Sequence, residues 1–578
     1  CCQNTATEHN MMEKLMVDSL VTWAKYYKVD SFRFDLMGHH MKSNMLNVRA
    51  ALDALTLEND GVDGSAIYLY GEGWNFGEVV NNTRGENATQ LNMAGTGIGT
   101  FSDRLRDAVR GPGPFNSGDS LQQQGFVNGL YYDPNPWQAS VSTEAEQKDR
   151  LLLLADQIRV GLAGNLADYE FVDRNGNLVT GDQVDYNGSP AGYTEDPQEV
   201  VTYVSKHDNQ TLYDINAYAI PTTTLMTDRI RIQHLGLSIV SLGQGIHFFH
   251  AGSDMLRSKS LDRDSYDSGD WYNVLDFSYE ETGWGRGLPR QDTNGSNWYL
   301  MEPRLADANL MPESADIVYS KELFKEWMQI RTSTPLFSLE TKQDVMERMA
   351  FHNTGPDQVP GVIVMSLSDM VDGADLDPRH ESVVVVFNAT DEAQSLTITE
   401  TVGMGYVLHP VQQASLDTVV QGATFDTASG TFDVPARTTA VFIVQEPYAE
   451  LVVTESGTMV ENGVSAIDFM STTVGTQVVK TFTVSNTGTS VLNLSDLTVT
   501  GDGFSLVDFG NTAVAPGTAT TFQIVLDADM ASSYDATVSF VHNGDITTTP
   551  FTFDVMGEVV TEPVTEYKTF LPLVFKNN

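Results

Sequence analysis

VDSFRFDLMGHH, residues 29–40, sets Arg33 and Asp35 two apart in a run that otherwise offers Phe32, Phe34 and Leu36. Side chains of a strand alternate faces, so the three apolar residues share one face and the Arg–Asp pair shares the other. A charge pair on an inner face is costly unless it is matched or put to use. The stretch therefore reads either as a core strand with a buried ion pair, or as a strand that delivers a carboxylate and its counter-charge to a site. The neighbouring sequence separates the two readings. Just upstream, TEHNMMEKLMVDSLVTWAKYYK (7–28) places Met12, Leu15, Met16, Leu20, Trp23 and Tyr27 at helical spacing. Thr7 could cap this helix, or Asn10 with Glu13 could start it. A helix leading directly into a strand is the rhythm of a β/α unit.

The rhythm continues. SAIYLYGEGW (65–74), EVVTYVSKHDNQ (199–210) and SLGQGIHFFHAG (241–252) are apolar runs that end in Gly, His or a carboxylate, and DRIRIQHLGLSIVSL (228–242) has a helical pattern. Long Gly-, Asn- and Asp-rich loops span 111–136 and 170–199. Parallel strands alternating with helices, with long loops after the strands, predict a β/α barrel over residues 1–340. After about residue 340 the texture changes. VIVMSL, SVVVVFNAT, SLTIT and TTAVFIVQ are short β-rich runs, as in a sandwich, over 341–445. A break near 446–449 precedes a second all-β region, 455–560, and residues 561–578 read as linker and tail.

Composition limits the partners. With 578 residues, two to four domains are expected, and 41% hydrophobic and 10% aromatic content indicate folded rather than disordered chain. A formal charge of −44 argues against nucleic acid or an anionic membrane surface as partner and fits a neutral substrate. The two cysteines, Cys1 and Cys2, are adjacent, and a bond between neighbours would close no useful loop. They say little about redox compartment. No signal-peptide pattern opens the sequence, and no apolar run approaches the roughly 20 residues that span a bilayer.

Three strand ends present acids: Asp35, Glu72 and Asp208. Active sites of β/α barrels lie at the C-terminal strand ends. One such acid is weak evidence, because an N-cap role is commoner. Three acids converging there fit glycoside hydrolysis, which needs a nucleophilic carboxylate, a protonated carboxyl for the leaving oxygen, and negative charge near an oxocarbenium-like transition state.

On FRFDLMGHH, YGEGWN, YVSKHDNQTLYD and FFHAGSDMLRSKSLDRDSYDSGDWYN, residues 1–445 resemble type I pullulanases, debranching members of glycoside hydrolase family 13 in the α-amylase superfamily. The resemblance implies an α/β fold: a partial (β/α)8 TIM barrel carrying strands four to eight, then the β-sandwich that follows such barrels, here with FHNTGPDQVPGVIVMSL. It implies retaining hydrolysis of α-1,6 branch linkages in pullulan, amylopectin and limit dextrins through a glucosyl-Asp intermediate. Asp35 would be nucleophile, Glu72 general acid/base and Asp208 transition-state stabiliser. Arg33 would orient and ionise Asp35, and Glu72 between Tyr70 and Trp74 could be kept protonated. Substrate contacts would come from Arg33, His207, Asn209, Asp254 and Arg257. Trp74, Trp271 and Tyr272 are candidate stacking platforms, with a core role as the alternative. His39 and His40 are not read as metal ligands, since neighbours on a strand point apart; His40 is the expected subsite contact. No metal ligands are assigned and no cofactor is required, with structural calcium possible. Ser31 stands where the family usually has Gly. The family's first conserved region and first three strands are not in the sequence, so the chain is expected to fold poorly alone and to show little or no activity. Residues 455–560 resemble bacterial immunoglobulin-like repeats. An extracellular or cell-surface bacterial location follows from the resemblance. Competing readings are an isoamylase or α-1,4-acting amylase, and a non-catalytic glucan-binding surface protein.

Overall fold

The structure, a computed structural model, describes residues 5–266, 268–371, 373–544 and 549–561. Cys1, Cys2 and the tail from 562 onward lie outside the described residues. The chain divides into two compact units, Cys1–Gln445 and Glu446–Asn578.

The first unit opens with α1 (Asn10–Tyr27), which enters at His9 without a side-chain cap. Thr7 does not cap it. The Thr7 hydroxyl instead meets His40 Nδ1 at 3.0 Å, and its carbonyl accepts from Asn44 Nδ2 at 3.0 Å. Met16, Val17, Leu20 and Val21 lie on a core made by Phe34, Met45, Val48 and Leu52 of the following elements. The other edge of the predicted apolar stripe stays open, with the Trp23 and Tyr27 rings tilted against each other, centres 4.6 Å apart.

Five parallel strands then form one sheet in chain order: β1 (Ser31–Phe34), β2 (Tyr68–Gly71), β3 (Gly99–Phe101), β4 (Val200–Thr202) and β5 (Ile246–His247). Register runs Phe34 to Gly71, Gly71 to Thr100, Phe101 to Val201 and Thr202 to His247. Helix α2 (Lys42–Asp53) lies between β1 and β2, α3 (Asp103–Arg110) and α4 (Glu144–Leu162) between β3 and β4, α5 (Leu212–Ala219) and α6 (Met226–Leu242) between β4 and β5, and α7 (Ser314–Thr332) follows. Strand β3 has no apolar run to announce it: it is three residues long, with Gly99 and Thr100 in it. The strands are shorter than their apolar runs: Ala66 and Ile67 lie before β2, Tyr203 and Val204 after β4, and Phe248 and Phe249 after β5.

A five-stranded antiparallel sheet follows, ordered β6 (Met349–His352), β7 (Val362–Ser368), β8 (His380–Asn388), β10 (Thr438–Gln445), β9 (Val407–Leu408). Its two faces explain the unbroken valines of SVVVVFNAT. Val383, Val385 and Phe387 join Ile363, Val441 and Ile443 in the core of helices α4 and α6. Val384 and Val386 point the other way, onto Phe432 and Leu396 of a three-stranded cover sheet. A strand buried on both faces needs no polar alternation. Residue 340 is thus no break in packing: Trp327, Ile330 and Phe337 share one core with Val383 and Val441. Helix α6 is buried all round from Arg229 to Leu242, so its amphipathic signal is faint.

The second unit pairs two five-stranded sheets. One contains Val478–Asn486 and Ala519–Leu526, the other Ser532–His542 and Phe551–Val560. Alternate residues turn inward, and Phe482, Phe522, Phe540 and Phe553 dominate their shared core.

Candidate active site

β1 ends at Phe34, and Asp35 and Glu72 each follow directly on the last residue of a parallel strand. Leu36 takes a left-handed φ of 43°, turning the chain sharply after Asp35. The two strand ends are laced together. Glu72 N–H donates to Phe34 O at 3.1 Å, Gly38 N–H to Glu72 O at 2.9 Å, and Leu36 N–H to Glu72 Oε2 at 3.1 Å. The last bond fixes the carboxylate itself. Gly38 is required by close approach, since a Cβ there would sit 2.3 Å from the Trp74 carbonyl oxygen.

Arg33 lies between the two acids, with Nη1 3.0 Å from Asp35 Oδ1 and Nη2 3.1 Å from Glu72 Oε1, and its guanidinium 6.0 Å from the Phe101 ring centre. The opening pair is therefore not a buried ion pair. The Asp35 side chain is 71% exposed, whereas that of Glu72 is 3% exposed. Asp208 lies six residues past the end of β4. Oxygens of Asp35 and Glu72 and a ring nitrogen of His207 lie within 4.8 Å of one another, and His207 Nε2 is 3.4 Å from Asp208 Oδ1. Arg33, Asp35, Glu72, His207 and Asp208 are thus brought together.

Lys206, which sequence reasoning passed over, completes the group. Its Nζ pairs with Glu72 Oε1 and lies 2.6 Å from Asp208 Oδ2, and it sits 5.6 Å from the centre of a Trp74 ring. Its signal was present in SKHDNQ, one residue before the His–Asp pair. Burial works against its charge, but Tyr203, Glu72 and Asp208 outweigh burial and hold its pKa above the ordinary lysine value.

The electrostatics correct one expectation. Burial pushes the Glu72 carboxyl up, yet Lys206, the Leu36 amide and Arg33 together hold it below the ordinary carboxylate range. In the open site Glu72 is therefore ionised rather than kept protonated by Tyr70 and Trp74. Asp208 behaves likewise: burial raises it, and Lys206, His207 and Arg33 bring it down. His207 is lowered, first by burial and then by Lys206 and Arg33, against the pull of Asp208.

The remaining expected contacts are held by other partners. Half-buried His40 meets Thr7 and the edge of Phe34, and burial lowers its pKa. Asn209 adopts a left-handed φ of 61° and reaches the Pro114 carbonyl at 3.4 Å. Asp254 lies in the turn Ser253–Met255 after β5, its carbonyl accepting from Ser320 Oγ. Arg257 bonds the carbonyls of Ala251 and Asn273 at 2.9 and 3.1 Å, pinning two loops together. Trp271 is exposed, donates to the Arg286 carbonyl at 2.9 Å and lies under the Arg286 guanidinium. Tyr272 donates to the Leu288 carbonyl at 2.8 Å.

Asp35, Glu72 and His207 could by spacing alone surround a metal ion. The donor set does not suit one, because the Arg33 and Lys206 cations already occupy the two carboxylates. No described helix is long and apolar enough to cross a membrane.

Residues 279–445 match the family model described as the C-terminal region of pullulanase-type alpha-1,6-glucosidases. The chain carries a pullulanase-type segment. It is 48% identical over 448 residues to the chloroplastic pullulanase 1 of Arabidopsis thaliana, covering 77% of this chain and 46% of that protein. It is 43% identical over 452 residues to the pullulanase of Klebsiella pneumoniae, covering 78% of this chain and 40% of that protein. A crystal structure of Klebsiella pneumoniae pullulanase complexed with maltotriose superposes with a TM-score of 0.71, over 77% of this chain and 41% of that chain, at 43% identity. The chain thus spans about half the length of the curated relatives it matches. The matched model crosses residue 340 without interruption, as the packing does.

Proposed function

We propose that this chain carries the catalytic centre of a starch-debranching α-1,6-glucosidase acting on pullulan, amylopectin and limit dextrins. The observation that carries the reading is the Asp35–Arg33–Glu72 bridge at two adjacent strand ends, with Asp208 joined to Glu72 through Lys206. Oxygens of Asp35 and Glu72 come within 4.8 Å. Such a separation suits a retaining pair, whose carboxyl groups stand about 5–5.5 Å apart, and leaves no room for the water that an inverting pair needs.

Asp35, exposed and paired to Arg33, attacks the anomeric carbon. Glu72 gives its proton to the departing O6, so the C1–O6 bond breaks as the glucosyl-Asp bond forms. Glu72 then takes a proton from water, which displaces Asp35 and returns the α-anomer. The charge of Asp208 would offset the oxocarbenium character between these steps. Glu72 is ionised in the open site, so a covering sugar must raise its proton affinity. Burial is already the largest influence on it and acts in that direction.

The partial-barrel reading of β1–β5 supports this placement, since the acids lie at the C-terminal ends of parallel strands. In the described residues β1 and β5 each pair on one side only. Open edges and a half-covered core are expected to leave the isolated chain poorly folded with little or no activity, so any product should appear only over long incubation. The second unit is read as an immunoglobulin-like spacer, and the location as extracellular.

The test is prolonged incubation of the chain with pullulan, followed by chromatography of products. Maltotriose is expected, absent from Glu72→Gln. Panose or isopanose would mean α-1,4 cleavage, and glucan binding with no product in any preparation would mean a binding protein.

A further inference from the structure

Glu72 and Asp208 come from different strands, and no main-chain bond joins the segment after β4 to either acid-bearing turn among the described contacts. What joins them is Lys206. Its ammonium, on a residue 7% exposed, lies on Glu72 Oε1 and 2.6 Å from Asp208 Oδ2. A second buried lysine supports the same loop from behind: Lys259 Nζ donates to the His207 carbonyl at 2.9 Å. The Trp74 ring closes one side of the Lys206 head group. Burying an ammonium is costly unless it is paired, so this site maintains a charge where a neutral side chain would be easier to hold.

We propose that Lys206 is a positioning residue: it clamps Glu72 and Asp208 into one constellation and sets the proton affinity of Glu72. The inference rests on the reading of Glu72 as acid/base and goes beyond it by naming what tunes that group. The charged and titratable groups facing Glu72 are Lys206, Arg33 from β1, Asp35 at its end, and His207, with Tyr203 behind the lysine. Arg33 persists when Lys206 is replaced, so Glu72 keeps one cation.

The experiment uses the whole chain and the variants Lys206→Met, which keeps the volume without the charge, and Lys206→Arg, which keeps the charge. Infrared titration of the Glu72 carboxylate, with Glu72→Gln as blank, needs no turnover. Lys206→Met is expected to move that titration upward by about one pH unit, while Lys206→Arg leaves it near the parent. On pullulan, Lys206→Met is expected to lower kcat about 100-fold at little change in KM, as for a misplaced catalytic group. The alkaline limb of kcat/KM should move to higher pH, because a general acid with greater proton affinity stays protonated longer. A purely structural lysine would not move that limb. An unchanged Glu72 titration, or a parent-like rate and limb in Lys206→Met, overturns the clamp. If the parent releases no maltotriose while the titration still shifts, the hydrolase reading fails and the clamp stands. Should Lys206→Met not fold, Lys206→Gln decides: a Glu72 titration moved upward with kcat reduced about 10-fold supports the clamp, and a parent-like titration and kcat overturn it.

Discussion

The two units bury different things. In the first, charge goes inside: Arg110, Arg159, Lys259 and Asp214 are each at most 2% exposed, and Glu72 and Lys206 are buried as well. In the second, the buried polar side chains among the described residues are Asn486, Thr520 and His542, and seven buried phenylalanines, Phe482 and Phe522 among them, fill the core. An apolar interior is the easier way to hold a fold, since each buried charge must be matched. The unit that tolerates buried charge is the one that holds the proposed site.

Substitutions and an acid titration sharpen that contrast, beginning with the largest stability effect. Phe482→Ala removes a ring that stacks on Phe522 at 5.1 Å and meets Phe553 across the sheets. It should cost about 3–5 kcal/mol, read by hydrogen exchange of second-unit amides. First-unit unfolding should not change. All seven tryptophans lie before residue 446, so tryptophan fluorescence follows the first unit alone.

Gly38→Ala forces a Cβ against the Trp74 carbonyl and must displace the turn that orders Glu72. A destabilisation of about 1–3 kcal/mol is expected by fluorescence, together with loss of pullulan turnover. Parent-like turnover would show that the lacing of the two strand ends is dispensable.

Acid should separate the units. Burial lowers the pKa of His234 and His250 to about 3. In the unfolded chain these imidazoles take up protons near pH 6.5. The unfolded state therefore binds more protons as pH falls from about 6.5 towards 3, and first-unit stability drops across that window. Glu72 and Asp208, both held low, add a loss that starts only below the ordinary carboxylate value. Fluorescence-monitored denaturation should weaken steadily below about pH 6.5, while exchange protection in the second unit changes less. His234→Asn should flatten the upper part of that slope. The smallest effect is expected at the exposed Lys14–Asp18 pair, 2.7 Å apart on α1, where Lys14→Ala should shift stability by about 0.5 kcal/mol or less.

Much of the site was legible because its chemistry is local. FRFD, GEGW and KHDN each place an acid at or beyond the end of an apolar strand, and parallel pairing brings two such ends together without further information. Glu72's ionisation was not legible, because the deciding cation, Lys206, arrives from a segment more than 130 residues away. β3 escaped notice because three residues with Gly and Thr make no periodic pattern. Side-chain packing crosses residue 340, and a helix, Lys342–Arg348, still precedes the first strand of the next sheet, Met349–His352. α1 misled in another way: its stripe is periodic, yet only Ala24 is fully covered.

The most direct test of the account compares the chain and its Asp35→Asn variant on pullulan over long incubation, with products separated by chromatography. The account predicts maltotriose from the chain and a reduction of at least about 1,000-fold in Asp35→Asn, as expected when a covalent nucleophile is removed. Maltotriose released equally by both, or panose in its place, would contradict it.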